Sequence, residues 1–308
     1  METIAARGLF TIPLAQGRSL ALGARTLVMG IVNATPDSFA GSVTDPDEAV
    51  ALALRMEDAG ADIIDIGGES TRPGADPVSE ADELARMMPV IERLAKRLHV
   101  PISVDTYKAG VAAAALSAGA CIVNDISGLG YDHKLADVVA GTGAAVVLMH
   151  TRGRSRQMYV EAVYSDVVVE VAAELRQAMD RATAAGIGAD HIILDPGLGF
   201  AKRADDSFTL LAALPRFHAL GRPLLIGPSR KSFLTAATGQ AAPSERDWGT
   251  AAAVTAAILA GAHIVRVHDV APMVQVARVA DAIRSRAIGR TQGPAPTGSP
   301  PDSPARLP

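Results

Sequence analysis

The chain has 308 residues, of which 49% are hydrophobic and 4% aromatic, and its formal net charge is −4. A net negative charge does not indicate the basic surface that binds nucleic acid. The length suits two average domains or one large α/β barrel. The single cysteine, Cys121, excludes an intrachain disulfide and agrees with a reducing compartment.

The distribution of apolar residues predicts a cytoplasmic location. Residues 1–8 lack the apolar region of a signal peptide, and no uninterrupted apolar stretch is long enough to span a bilayer. Cys121 lies in the apolar run of residues 120–123, so we interpret it as a small core residue rather than a nucleophile.

In chain order, residues 9–23 predict a short hairpin with its turn near residues 16–18. Eight short apolar runs follow, and their length and branching predict buried strands. They cover residues 26–32, 62–66, 101–105, 121–125, 145–150, 191–195, 223–226 and 263–268.

A helical pattern follows each of the eight runs. The predicted helices cover about residues 45–60, 79–98, 108–118, 133–141, 164–185, 206–220, 248–260 and 271–287. The first begins at Asp45-Pro46, where the aspartate can cap and the proline fits the first turn. The second should be broken or kinked near Pro89, because proline removes a helical hydrogen bond.

Eight strands alternating with eight helices predict a (β/α)₈ TIM barrel, which belongs to the α/β class. We expect residues 1–288 to form this single domain, with a doubly wound open sheet as the alternative. Residues 289–308 are rich in proline, glycine, serine and threonine and predict a disordered tail.

Polar residues collect where the predicted strands end. In a closed barrel the carboxyl ends of the strands converge on one face, which is where the active sites of such barrels lie. We therefore expect a site built from Asn33, Asp65, Asp105, Asn124 with Asp125, His150, Asp195, the segment 229–232, and Arg266 with His268.

The side chains at these strand ends divide into two chemical groups. The first group consists of Asp105, Asn124, Asp195 and Lys231. It contains both hydrogen-bond acceptors and donors, which recognition of a flat polar heterocycle requires. A carboxylate in this group can accept two parallel N–H bonds from a guanidine-like edge. The other suits a phosphate group, because Arg266 and His268 alternate with apolar residues and can share one side of their strand. Helix capping is the alternative role for Asp105, and the remaining histidines show no zinc spacing.

Eight motifs, in order, resemble those of the dihydropteroate synthases, and the resemblance runs from about residue 27 to residue 287. The first is residues 29–39, Met-Gly-Ile-Val-Asn-Ala-Thr-Pro-Asp-Ser-Phe, and the second is residues 65–75, Asp-Ile-Gly-Gly-Glu-Ser-Thr-Arg-Pro-Gly-Ala. The others are residues 103–106, 124–128, 148–150, 195–200, 227–232 and 266–269. The second motif and Thr-Pro-Asp-Ser-Phe indicate the synthase branch within the wider superfamily of pterin-binding barrels.

The resemblance implies a transferase of folate biosynthesis that condenses 6-hydroxymethyl-7,8-dihydropterin diphosphate with 4-aminobenzoate. It implies a pterin pocket of Asp105, Asn124, Met149, Asp195, Phe200, Gly227 and Lys231. It implies diphosphate binding by Asn33, Arg72, Arg266 and His268, with Mg²⁺ on Asn33, and aminobenzoate binding by Phe39, Thr71, Arg72, Pro73 and Ser232. Asp105, Lys231 and Arg266 are the implied catalytic residues.

The resemblance also implies a homodimer and inhibition by sulfonamides, which mimic aminobenzoate. The loops after the first two strands of the barrel should move and close over the site. One segment differs, since the family continues after Phe39 with Ser-Asp-Gly-Gly and this chain has Ala40-Gly41-Ser42-Val43. This difference bears on loop closure and on the affinity for aminobenzoate.

Three other functions compete with this interpretation. A pterin-using methyltransferase on the same barrel would keep Asp105, Asn124 and Asp195 but would not need Arg72. A paralogue could bind pterin without turnover, although every matched polar residue is present. A Schiff-base lyase using Lys231 is the third, and the basic loop that holds this lysine argues against it.

Overall fold

The computed structural model describes residues 4, 6–35, 43, 45–72, 74–160, 162–239 and 242–289. The predicted hairpin is present as β1 (Phe10–Pro13) and β2 (Ser19–Leu22), which pair antiparallel. It covers the amino-terminal end of the barrel, where His263 donates from Nε2 to the carbonyl of Gly8 at 3.2 Å. The opposite end of the barrel is therefore left for the site.

Eight parallel strands form the barrel. They are β3 (Leu27–Asn33), β4 (Ile63–Gly67), β5 (Ile102–Asp105), β6 (Ile122–Asp125), β7 (Ala145–Met149), β8 (Ile192–Asp195), β9 (Leu225–Ile226) and β10 (Ile264–Val267). Neighbouring strands follow the order β8-β7-β6-β5-β4-β3-β10-β9. A parallel bridge between Leu194 and Leu224 joins the two ends of this order. The sheet therefore closes on itself, which confirms the barrel and excludes the doubly wound sheet.

Helices surround the strands. They are α1 (Pro46–Asp58), α2 (Glu80–Leu94), α3 (Ala109–Ala118), α4 (Lys134–Thr142), α5 (Val167–Ala184), α6 (Ala204–Ala212), α7 (Thr235–Thr238), α8 (Asp247–Leu259) and α9 (Val270–Gly289). Asp45 caps α1 as predicted, because its carboxylate accepts from the Asp47 N–H at 2.9 Å. The predicted tail lies outside the described residues, apart from Gly289 at the end of α9.

Two helices differ from the prediction. The chain stays helical through Pro89, so the break expected there is wrong. Met87, Val90 and Ile91 are fully buried around it, and this burial offsets the roughly 3 kcal/mol that an internal proline costs. The helix expected over residues 206–220 is α6 followed by a 3₁₀ helix, Leu214–Leu220, in which Pro215 occupies the first turn.

The core is aliphatic and fills both faces of the strands. All five residues of β4 are buried, as parallel strands covered by helices require. Cys121 is 1% exposed, which confirms its core position. Among the described residues, no helix combines the length and apolar character needed to cross a membrane.

Candidate active site

A cavity of about 440 Å³ opens at the carboxyl ends of the barrel strands. This volume suits a small-molecule ligand. Twelve of the residues predicted for the site line it: Asn33, Thr71, Arg72, Asp105, Phe200, Gly227, Ser229, Arg230, Lys231, Ser232, Arg266 and His268. The ends of β3, β5 and β10 and the loops after β4, β8 and β9 supply them. Closure of the barrel therefore brings distant parts of the chain together.

Three predicted pterin residues are buried beside the cavity and do not line it. Asn124 donates from Nδ2 to the carboxylate of Asp65 at 3.1 Å. Met149 packs in a small apolar cluster against which Phe200 rests. Asp195 accepts from the N–H of Gly197 at 2.7 Å. Phe39 and Pro73, predicted for the aminobenzoate pocket, lie outside the described residues.

Arg266 lies between two carboxylates, and it lines the cavity together with one of them, Asp105. Its Nε donates to Oδ2 of Asp65, and its Nη2 donates to Oδ2 of Asp105, each at 2.6 Å. Burial raises the pKa of Asp105 to about 7, and the charge of Arg266 opposes this rise. Two acids and one guanidinium thus share a poorly hydrated site, where interactions between charges are strong.

Lys231 is a second cation in the lining of the cavity. Its ammonium group donates to the carbonyl of Leu198 at 2.5 Å and lies 4.4 Å from the ring centroid of Phe200. Burial lowers the pKa of Lys231 to about 8, although the charge of Asp195 opposes the shift. The lysine and the phenylalanine together offer a charged, flat surface on which an aromatic ring can rest.

The lining of the cavity is strongly cationic. Its charged lining residues are five cations, Arg72, Arg230, Lys231, Arg246 and Arg266, and two acids, Glu69 and Asp105. His268 lies among them, and burial, followed by the charge of Arg266, lowers the pKa of His268 to about 3. Its Nδ1 pairs with the hydroxyl of Ser229 at 2.9 Å. A neutral imidazole among arginines suits an anion with several oxygen atoms.

The end of β3 offers oxygen donors at the edge of the same cavity. Asn33 and Thr35 line it, and the buried hydroxyl of Thr35 has no hydrogen-bond partner among the described residues. Those residues contain no group of three or more His, Cys, Asp or Glu side chains placed to hold a metal ion. An amide and a hydroxyl oxygen are hard donors that fit Mg²⁺ when phosphate oxygens and water complete its coordination.

The comparisons with known proteins agree with this geometry. The family model described as pterin binding enzyme matches residues 29–268. The dihydropteroate synthase of Synechocystis sp. is 48% identical over 277 residues, which is 89% of this chain and 96% of that protein. The chain belongs to the dihydropteroate synthases.

Solved structures of other dihydropteroate synthases share the barrel. The Yersinia pestis enzyme, solved in a complex with a sulfonamide drug, is 41% identical with a TM-score of 0.85, covering 90% of this chain and 100% of that chain. The Burkholderia cenocepacia enzyme, solved in a complex with 7,8-dihydropteroate, is 42% identical with a TM-score of 0.81, covering 92% and 100%.

A buried chain of polar groups lies behind the cavity of this dihydropteroate synthase, and no motif in the sequence indicated it. Lys202 is 1% exposed, and its ammonium group donates to Nδ1 of His150 at 2.8 Å and to the carbonyl of Phe200 at 2.8 Å. The Nε2 atom of His150 pairs with Glu174 at 2.9 Å. Burial lowers the pKa of Lys202 well below its usual value and that of His150 to about 4. This chain of contacts holds the backbone of Phe200, which forms a wall of the cavity.

Asp65 is the second residue whose role was missed. In the sequence it is one of the polar residues at the strand ends, and no pattern indicates its contacts. The structure places it between Asn124 and Arg266, residues predicted for different halves of the site. The available signal was an acid within the buried run Ile63-Ile64-Asp65-Ile66, because an acid in such a strand requires a partner.

Proposed function

We propose that this protein acts as a dihydropteroate synthase, a transferase that condenses 6-hydroxymethyl-7,8-dihydropterin diphosphate with 4-aminobenzoate. The observation that carries the proposal is that Asp105 and Lys231 line the same cavity as four arginines. The products are 7,8-dihydropteroate and diphosphate. A heterocycle that bears a diphosphate needs both kinds of surface in one site.

The pterin ring would bind at the base of the cavity. Phe200 and Gly227 supply flat or open walls, and Lys231 supplies a donor. The carboxylate of Asp105 can accept from the guanidine-like edge of the ring. Asn124, Met149 and Asp195 are buried beside these groups, and we assign Asn124 and Asp195 the polar contacts of the innermost edge and Met149 an apolar contact.

The diphosphate group would bind among the arginines that line the cavity. Arg72, Arg266 and His268 can donate hydrogen bonds to its oxygen atoms, and Asn33 is the protein ligand that we assign to Mg²⁺. When bound, this ion would neutralise part of the charge on the leaving diphosphate. The requirement for Mg²⁺ is a prediction to be tested by removing the ion.

The aminobenzoate would enter between the loops after β4 and β9. Thr71 and Arg72 line the cavity on one side and Ser232 on the other. We assign the carboxylate of the substrate to Ser232, the first residue of the 3₁₀ helix Ser232–Leu234, where backbone N–H groups are available. The proposed contributions of Phe39 and Pro73 concern residues outside the described part of the chain.

The reaction breaks the bond between the pterin methylene carbon and the diphosphate oxygen and forms a bond from that carbon to the amine nitrogen. The electron pair of the broken bond leaves with diphosphate, and the amine nitrogen, once bonded to the carbon, loses one proton to water. Positive charge develops on the pterin ring as the bond breaks, and the carboxylate of Asp105 stabilises it. Arg266 stabilises the departing anion in the same step. No covalent enzyme intermediate is required, in agreement with the burial of Cys121.

A binding experiment tests this assignment against the methyltransferase alternative. Calorimetric titrations would compare pterin diphosphate with methyltetrahydrofolate in the presence of Mg²⁺. Tighter binding of the diphosphate, with the preference lost in Arg72→Ala, supports the synthase. A preference for methyltetrahydrofolate would favour the methyltransferase.

We also propose a homodimer formed by helices on the outside of the barrel. Val279 and Ile283 are 61% and 48% exposed and lie one helical turn apart on α9, beside the alanine-rich helix α8. Light scattering on the wild type and on Ile283→Glu tests this assembly. A dimer that becomes monomeric in the variant supports it, and a wild-type monomer contradicts it. The cytoplasmic location stays a prediction.

A further inference from the structure

Asp65 is an acid in the middle of a hydrophobic strand. Its side chain is fully buried in β4, between Ile64 and Ile66, which are also fully buried. A carboxylate in such surroundings is several kilocalories per mole less stable than in water unless other groups compensate its charge. The contacts of Asp65 therefore show which groups compensate its charge.

One oxygen atom of Asp65 makes both of its hydrogen bonds. Oδ2 accepts from Nε of Arg266 at 2.6 Å and from Nδ2 of Asn124 at 3.1 Å. Oδ1 has no hydrogen-bond partner within the described ranges. Arg266 provides the positive charge, and it extends past Asp65 to Asp105, which lines the cavity.

The two carboxylates on Arg266 differ in their surroundings. The side chain of Asp65 is 0% exposed and that of Asp105 is 15% exposed. The contact with Asp65 is therefore fixed inside the barrel, whereas the contact with Asp105 borders the space that a ligand occupies. Nε and Nη2 lie along one edge of the guanidinium, so Nη2 can change partner by a small rotation while Nε remains bound.

We propose that Asp65 is a positioning residue that anchors Arg266 through Nε, so that Nη2 can exchange Asp105 for the departing diphosphate. This inference rests on the proposed synthesis of dihydropteroate. Without Asp65, Nη2 would have to leave the one acid still bonded to the buried guanidinium in order to reach the diphosphate, which is unfavourable. With Asp65, Arg266 stays compensated, and the charge of Asp105 becomes available to the pterin cation.

The test is a double-mutant cycle on the full chain, with kcat for dihydropteroate formation as the readout. Asp65→Asn keeps the size of the side chain and removes its charge, and Arg266→Lys keeps a charge but has no Nε donor. We expect Asp65→Asn to lower kcat about 30-fold in the wild-type background and by less than about threefold in Arg266→Lys, because coupled residues are not additive.

Asp62 provides a matched control. It precedes β4 at the other end of the barrel, and it also pairs with an arginine, Arg25, at 2.5 Å. Asp62→Asn should leave kcat within about twofold of wild type. A fall in kcat of equal size in both Arg266 backgrounds would assign Asp65 to general stability and overturn the proposal. An inactive wild type would instead refute the proposed function.

A second measurement does not depend on the folding of the Asp65 variant. The Nε–H nuclear magnetic resonance signal of Arg266, assigned by its loss in Arg266→Lys, reports the anchor directly. Protection of this proton from exchange should persist when inorganic diphosphate and pteroate are added to the wild type. Loss of protection on adding both ligands would show that Nε also leaves Asp65, which contradicts the anchor.

Discussion

Arg266 on β10 donates to the carboxylate of Asp105 on β5 at 2.6 Å, across the carboxyl end of the barrel. The acid assigned to stabilise the pterin cation is therefore covered by a guanidinium in the free protein. Because the pterin ring presents a guanidine-like edge, the bound substrate can replace this contact with one of similar geometry.

The charge of Asp105 should be required for turnover. Asp105→Asn replaces the carboxylate by an amide of nearly the same shape, so the fold should persist while electrostatic stabilisation of the cation is lost. We expect kcat to fall roughly 10²- to 10³-fold, the size typical of such an electrostatic contact. Steady-state kinetics with thermal unfolding as the folding check measure this, and near-wild-type turnover would exclude the electrostatic role.

The ionisation of Lys231 should limit activity at alkaline pH. Its pKa is lowered to about 8 by burial, so the ammonium charge is present below this value and disappears as the pH rises through it. From pH 7 to pH 9 we expect kcat/KM for the pterin diphosphate to fall roughly tenfold.

Lys231→Arg is the control for this pH profile, because a guanidinium keeps its charge throughout the range. The variant should show no alkaline fall between pH 7 and pH 9, whatever its absolute activity. The same alkaline fall in both proteins would assign it to the substrate or to another group.

Arg72 should distinguish the two substrates. It lines the cavity on the side of the loop after β4, and we place it on the aminobenzoate and the diphosphate. Arg72→Ala should raise KM for aminobenzoate and the inhibition constant of a competing sulfonamide roughly tenfold to hundredfold, the effect of losing one charged hydrogen bond. Binding of a pterin without diphosphate should change by less than about twofold.

Arg156 serves as the control for Arg72, because it pairs with Asp76 in an exposed position. Exposed pairs contribute little to stability, so Arg156→Ala should behave as wild type in each assay. Equal losses for pterin and aminobenzoate in Arg72→Ala would contradict the assignment.

Lys202 should position the wall of the pterin pocket. Lys202→Met keeps the length of the side chain and leaves Nδ1 of His150 and the carbonyl of Phe200 without their donor. Unfolding should become easier by about 1–3 kcal/mol for each group left unpaired. KM for the pterin diphosphate should rise more than KM for aminobenzoate, because we assign Phe200 to the pterin pocket. As a control, Lys96→Met at an exposed lysine should change neither the free energy of unfolding nor the KM values. Equal changes in both KM values for Lys202→Met would indicate a general loss of stability.

The strands were predictable because each is a short apolar run that ends in glycine or polar residues. β9 is the exception, since residues 223–226 were expected and only Leu225–Ile226 form the strand. Leu224 instead makes the single bridge to Leu194 that closes the barrel. Closure depends on the curvature of the whole sheet, which cannot be predicted from the residues of a single strand.

The composition of the site was predictable, and its internal pairing was not. Arg266 and Asp105 are 161 positions apart, and only the closed barrel brings them into contact. The burial of Lys202 contradicts the usual exposure of lysine, so no pattern in the sequence indicated it. Likewise, the sequence marked Asn124 and Asp195 as polar strand ends but could not show that both are buried beside the cavity.

Measuring diphosphate release by the wild-type protein tests directly whether it catalyses the proposed synthase reaction. With pterin diphosphate, 4-aminobenzoate and Mg²⁺ all present, we predict continuous release that matches dihydropteroate formation one to one. Release should stop when aminobenzoate or Mg²⁺ is omitted. Release that proceeds at the same rate without aminobenzoate, or no release with all three present, would contradict the proposed function.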